Sequence, residues 1–207
     1  MSVGQAETIG VVFILVWFGV ETLWDQLRSV VLPVWLVLPP VVLAIAYQAL
    51  FGKWYIAAAM TAAIFLHLSN NMIVRAAGTV LLLAAAVEAH NVVLAVGFVA
   101  YWAMWELNIA GGADALAAYA ALMFVPRPEM FWALLAGILV WAVASMIVIY
   151  RGQLVERWKK LVFRLLLRQL PTEKELELEG KPTVGGIWLG VIFFAAGSLL
   201  TTGSLRF

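Results

Sequence analysis

Eight apolar runs divide the chain, at residues 9–24, 31–51, 54–69, 72–87, 91–108, 113–125, 130–150 and 184–201. The breaks between them are short and polar or rich in Gly and Pro: Gly52-Lys53, Ser69-Asn70-Asn71, Glu88-Ala89-His90-Asn91, Gly111-Gly112 and Pro126-Arg127-Pro128-Glu129. None of the runs alternates apolar and polar residues as a half-buried strand does, and most exceed strand length, so each predicts a helix. The first is interrupted by Glu21 and followed by Asp25. It lacks a basic leading segment and a small-residue cleavage site before the next apolar run, which predicts a retained helix and not a detachable signal.

The pattern changes after Arg151. Leu154, Trp158, Leu161 and Leu165 form one stripe and Arg157, Lys160, Arg164 and Arg168 another, and Pro171 closes the segment. This predicts an amphipathic helix lying on a membrane surface, its basic face toward anionic headgroups near residues 151–170. Residues 173–180 alternate polar and apolar and read as a solvated strand or loop. The last run carries Gly186 and Gly190, a spacing that suits close helix packing.

Composition sharpens the picture. Of 207 residues, 65% are hydrophobic and 12% charged, leaving little polar side chain to cover a water-facing surface. The expectation is an all-α polytopic membrane protein, a bundle of about eight transmembrane helices with a cytoplasmic amphipathic helix. Residues 1–207 form one membrane domain, with 151–183 as a cytoplasmic helix and loop within it. Eight crossings put ten basic residues (Arg28, Arg75 and eight within 151–183) on one side, against Lys53, Arg127 and Arg206 on the other. The first side is then cytoplasmic, in a multi-pass protein of the cell inner or plasma membrane. The net charge of +1 offers no nucleic-acid footprint, and the absence of Cys excludes thiolate chemistry.

Helix parity places Asp25 and Asp114 at the same end of such a bundle. Asp114 follows Gly111-Gly112-Ala113 and precedes a helical run, where backbone N–H groups favour negative charge. Two carboxylates at one site share a proton, because both cannot ionise cheaply. One can then activate water while its protonated partner polarises a peptide carbonyl. A structural or ion-pathway role is the competing reading. Glu21, four residues before Asp25, and Glu106, on the helix before Asp114, are possible tuning groups. His67 and His90 are too isolated for a metal site, and Trp residues near helix ends fit interfacial anchoring.

Two segments carry a family resemblance. Asp25-Gln26-Leu27-Arg28-Ser29-Val30-Val31-Leu32-Pro33-Val34-Trp35 and Gly111-Gly112-Ala113-Asp114-Ala115-Leu116 resemble the two aspartate motifs of the type IV prepilin peptidase and archaeal preflagellin peptidase family, the GxGD aspartyl membrane peptidases. Lys181-Pro182-Thr183-Val184 is similar to the family's closing segment. The resemblance spans most of residues 10–200. Ala113 replaces the second Gly of GxGD, Leu116 stands where Lys is common, Val34 stands where Asn is common, and the basic stretch is reduced to Arg28. The resemblance implies an intramembrane aspartyl endopeptidase that cleaves the leader of a pilin-like or archaellin-like precursor at the cytoplasmic face. Asp25 and Asp114 would be catalytic, while Arg28, Gly111, Gly112 and Ala113 would position the substrate. With no Cys-rich segment, the expectation is peptidase activity alone, with no metal, cofactor or S-adenosylmethionine. The alternatives are a catalytically inactive, peptidase-like membrane assembly subunit and a small proton- or cation-coupled transporter.

Overall fold

The apolar runs fold as helices. In the computed structural model these are α1 (Val3–Arg28), α2 (Val34–Leu50), α3 (Trp54–His67), α4 (Met72–Glu88), α5 (Val92–Glu106), α6 (Gly112–Phe124), α7 (Pro128–Ile149) and α8 (Val184–Thr202). The structure describes residues 3–28, 34–51, 53–67, 69, 71–106, 112–149 and 184–202, and every regular element among them is helical. The helix and loop expected at 151–183 lie outside the described residues.

Local chemistry sets the boundaries. The Asn71 side chain accepts from the Ile73 N–H at 2.9 Å and caps α4. Pro126 lacks the N–H that would continue α6, which ends at Phe124. The Met123 carbonyl, left over at that end, accepts from the Gln48 side chain of α2. Within α2, Pro40 deprives the Leu36 carbonyl of its intrahelical donor. The Trp17 indole of α1 replaces it, donating to Leu36 O at 2.8 Å. An apparent helix breaker is thereby converted into a tie between two helices.

The expected bundle of eight transmembrane helices, and its multi-pass placement in the cell inner or plasma membrane, is overturned. Among the described residues one stretch, Gly4–Trp24, is long and apolar enough to cross a membrane. Shorter apolar stretches, such as Trp54–His67, Val92–Glu106 and Gly112–Phe124, have 10–17 residues. A hydrocarbon layer takes about 20 residues, whereas the 13 residues of α6 reach only about 20 Å at ~1.5 Å per residue. Apolar sequence here also serves helix-to-helix packing, which hydropathy does not distinguish from contact with lipid. In α6, Ala115 and every residue from Ala117 to Phe124 are buried, and nearly half of the Gly4–Trp24 stretch is buried as well. Large apolar side chains such as Ile9, Val16, Phe65 and Leu200 remain on the outside.

α6 is the central helix, packed against α1, α2, α5, α7 and α8. Its alanines at 115, 117, 118, 120 and 121 let neighbours approach closely. Gly97 of α5 leaves room for Leu122, and Gly10 of α1 for the Phe124 ring. The closest pairing is α7 with α8. A methyl group on Gly190 would sit 2.6 Å from Leu134 Cα and 2.8 Å from Ala133 O, both backbone atoms that cannot swing aside. Gly190→Ala is therefore expected to lower unfolding stability by about 1–3 kcal/mol. Gly197→Ala, with nothing within 4 Å of the new methyl, should leave stability unchanged or raise it through helix propensity. Denaturant titration of both variants, followed by circular dichroism, checks the contrast.

Candidate functional site

Alternating helix directions bring the C-terminal ends of α1, α3 and α5 together with the N-terminal ends of α4 and α6. Two polar clusters form at this end. The first joins α1 to α6. Glu21 is fully buried, and neither carboxyl oxygen has a hydrogen-bond partner. One turn earlier on α1, Trp17 is committed to Leu36, and Thr22 donates to its own helix at Phe18 O, 2.7 Å away.

The charge facing Glu21 is Asp114. This aspartate is the third residue of α6, in the turn whose N–H groups lack intrahelical acceptors, and is 7% exposed. Burial pushes the Glu21 carboxyl from its usual value near 4.5 up to about 8; the Asp114 charge pushes the same way, and the Trp17 indole works against both. Two carboxyl groups thus lie within electrostatic reach in a site with little water. Such a pair binds one proton tightly, because double ionisation would place two like charges in a low-dielectric interior.

The second cluster joins α3, α4 and α5. Arg75 grips Glu106 with both ends of its guanidinium, Nε to Oε1 at 2.7 Å and Nη2 to Oε2 at 2.8 Å, and donates through Nη1 to Ser69 O at 3.0 Å. The Arg75 hydrogen bonds hold Glu106 below the usual carboxylate range. Arg75 also lies over the Trp105 ring, 5.6 Å from its centroid, and His67 meets the same ring edge-on at 5.2 Å. Trp105 connects the clusters: a methyl on Gly112, two residues before Asp114, would come within 3.1 Å of the indole.

Asp25 lies on α1 one turn beyond Glu21, and Arg28 is the last residue of that helix; their side chains, and Gly111, are outside the described residues. Gly112 and Ala113 open α6. Among the described side chains, the carboxyl group electrostatically coupled to Asp114 is Glu21, expected only as a tuning group, and Glu106 is engaged with Arg75. No group of three potential metal ligands occurs among the described residues. The intramembrane aspartyl endopeptidase reading is overturned: among the described residues no catalytic pair of aspartates is formed by the side chains, and one helix alone is long and apolar enough to cross a membrane. The prepilin-leader peptidase activity falls with it. So do the inactive membrane subunit and the coupled transporter, which presuppose the same multi-span bundle.

Sequence reasoning passed over the second cluster. Its signal was present in Arg75 and Thr79 at i, i+4 with Gly78 between them on α4, a polar face on an otherwise apolar helix. If Arg75 and Glu106 clamp α4 to α5, Arg75→Met leaves a partly buried carboxylate without its donors. The expected loss is about 2 kcal/mol. Arg75→Met combined with Glu106→Gln should recover part of it, read as a double-mutant cycle in denaturant unfolding. No family model, curated protein or solved structure matches the chain.

Proposed function

We propose that the chain is a proton-responsive helical bundle whose binding centre is the Glu21–Asp114 carboxyl pair. One observation carries this reading: Glu21 is completely buried, the nearby Trp17 indole is committed to Leu36 O, and the carboxyl group stands in the electrostatic field of a second one. A polar group so placed is costly when charged and far less so when neutral. Proton uptake therefore governs how firmly α1 sits against α6. No reaction is needed for such a role, and the ligand is small enough to reach a site packed among helices.

The sign follows from linkage. The folded state holds the Glu21 proton more tightly than the unfolded chain does. The seating of α1 is therefore firmest below about pH 4.5, weakens as pH rises toward about 8, and is constant beyond that. The full span is on the order of 5 kcal/mol. Glu21→Gln keeps the shape and removes the charge, so unfolding stability should lose its decline between pH 6.5 and 8. Asp114→Asn should move that decline to lower pH by weakening the repulsion. A Glu21→Gln protein with the wild-type decline would sink the proposal. Denaturant midpoints measured across the pH range decide it.

A further inference from the structure

We propose that His67 is an acid-released latch, which holds α3 against α4 and α5 only while its imidazole is neutral. The ring closes α3 and is 6% exposed. Its Nε2 lies 3.2 Å from Thr79 Oγ1, and the Thr79 hydroxyl in turn points to the Arg75 carbonyl at 3.5 Å. A hydroxyl directed at that carbonyl accepts from the ring, which places the single proton of the neutral imidazole on Nε2. Nδ1 is then a bare lone pair, buried and without a hydrogen-bond partner. Protonation would put a second N–H where nothing accepts it.

The surroundings give the resulting cation less relief than its burial costs. On α4 the ring faces Arg75 and Thr79, on α5 Trp105 and Glu106, and on α6 Tyr119, whose hydroxyl donates to Phe98 O at 3.1 Å. Glu106 is the carboxylate in reach, and both of its oxygens already hold Arg75. The only titratable side chain of α2 is Tyr47, at the far end beside Glu7 and Arg127. Nor can the ring swing away while the helices stay closed. Gly78 forms a notch that fits it, since a methyl there would come within 3.2 Å of Nε2, and Trp105 stands on the other side. A charged His67 has to leave by parting α3 from α4. Burial lowers the ring below its usual value near 6.5, more than the Arg75 carbonyl and the Glu106 charge raise it, with the Arg75 charge lowering it further.

The latch works opposite in sign to the carboxyl pair. A group whose folded value is depressed loses its contribution as pH falls below the unfolded value. α3 should therefore loosen on acidification, whereas α1 loosens as pH rises. Hydrogen exchange of the amides in residues 60–82, corrected for the intrinsic pH trend, tests this between pH 6.5 and 5.5. The expected result is a rise in the opening constant of up to about fivefold across that interval, abolished in His67→Gln and retained in Glu21→Gln. Retention in the second variant separates this device from the α1–α6 centre. Imidazole proton resonances of the wild-type protein provide a measurement that needs no variant, because the chain has two histidines, one exposed at His90 and one buried at His67. His67 should titrate below 6.5, in step with the opening. A ring that titrates at or above 6.5, opening that ignores pH, or pH-dependent opening that persists in His67→Gln would each overturn the latch.

Discussion

The burial of α6 along almost its whole length is the constraint from which the remaining geometry follows. A helix can be surrounded on all sides only if its side chains are small enough for neighbouring backbones to approach, and the alanines of α6 meet that condition. Burial of the helix carries its first turn inside as well. Asp114 is thereby brought to Glu21, and Gly112 to Trp105. At the other end, the Met123 carbonyl has no helical continuation and is taken up by Gln48. Both ends of the central helix thus acquire their partners from different helices, and those contacts fix how α1, α2 and α5 are arranged around it.

The polar end handles buried charge in two contrasting ways. Arg75 and Glu106 satisfy each other with near-ideal geometry, and the aromatic face of Trp105 supports the guanidinium. Such a pair tolerates partial burial because charge and hydrogen bonds are both matched. Glu21 and His67 are matched in neither respect when ionised. Each is comfortable only as a neutral group, one by keeping a proton and the other by lacking a second. The same low-dielectric interior therefore gives an acid and a base opposite responses to pH, one where α1 meets α6 and the other where α3 meets α4.

Glu21 also illustrates how a sequence can point to a neighbourhood without ranking the residues in it. Helix parity placed the end of α1 beside the start of α6, but it could not say which face of α1 turns inward. Glu21 and Asp25 share a face by spacing; the crossing of α1 over α6 is what brings Glu21 into the field of Asp114. The hydropathy reading failed for a related reason. Apolar runs measure how strongly a segment avoids water, and a helix enclosed by other helices avoids it as strongly as one enclosed by lipid.

What the sequence determined by itself was the helical content and most of the boundaries, although the run at 9–24 became the longer Val3–Arg28. The apolar run at 72–87 became Met72–Glu88, the run at 113–125 became Gly112–Phe124 and the run at 184–201 became Val184–Thr202. Those limits are local: an Asn cap, a proline without an N–H, a pair of glycines, each acting within one turn of its own position. The tertiary structure alone decided that Trp17 would complete the hydrogen bond broken by Pro40, that Gly78 would receive His67, and that Glu21 would face Asp114. These contacts join residues on different helices, so they depend on crossing angles and rotations set by the packing of the whole bundle, which no local pattern encodes.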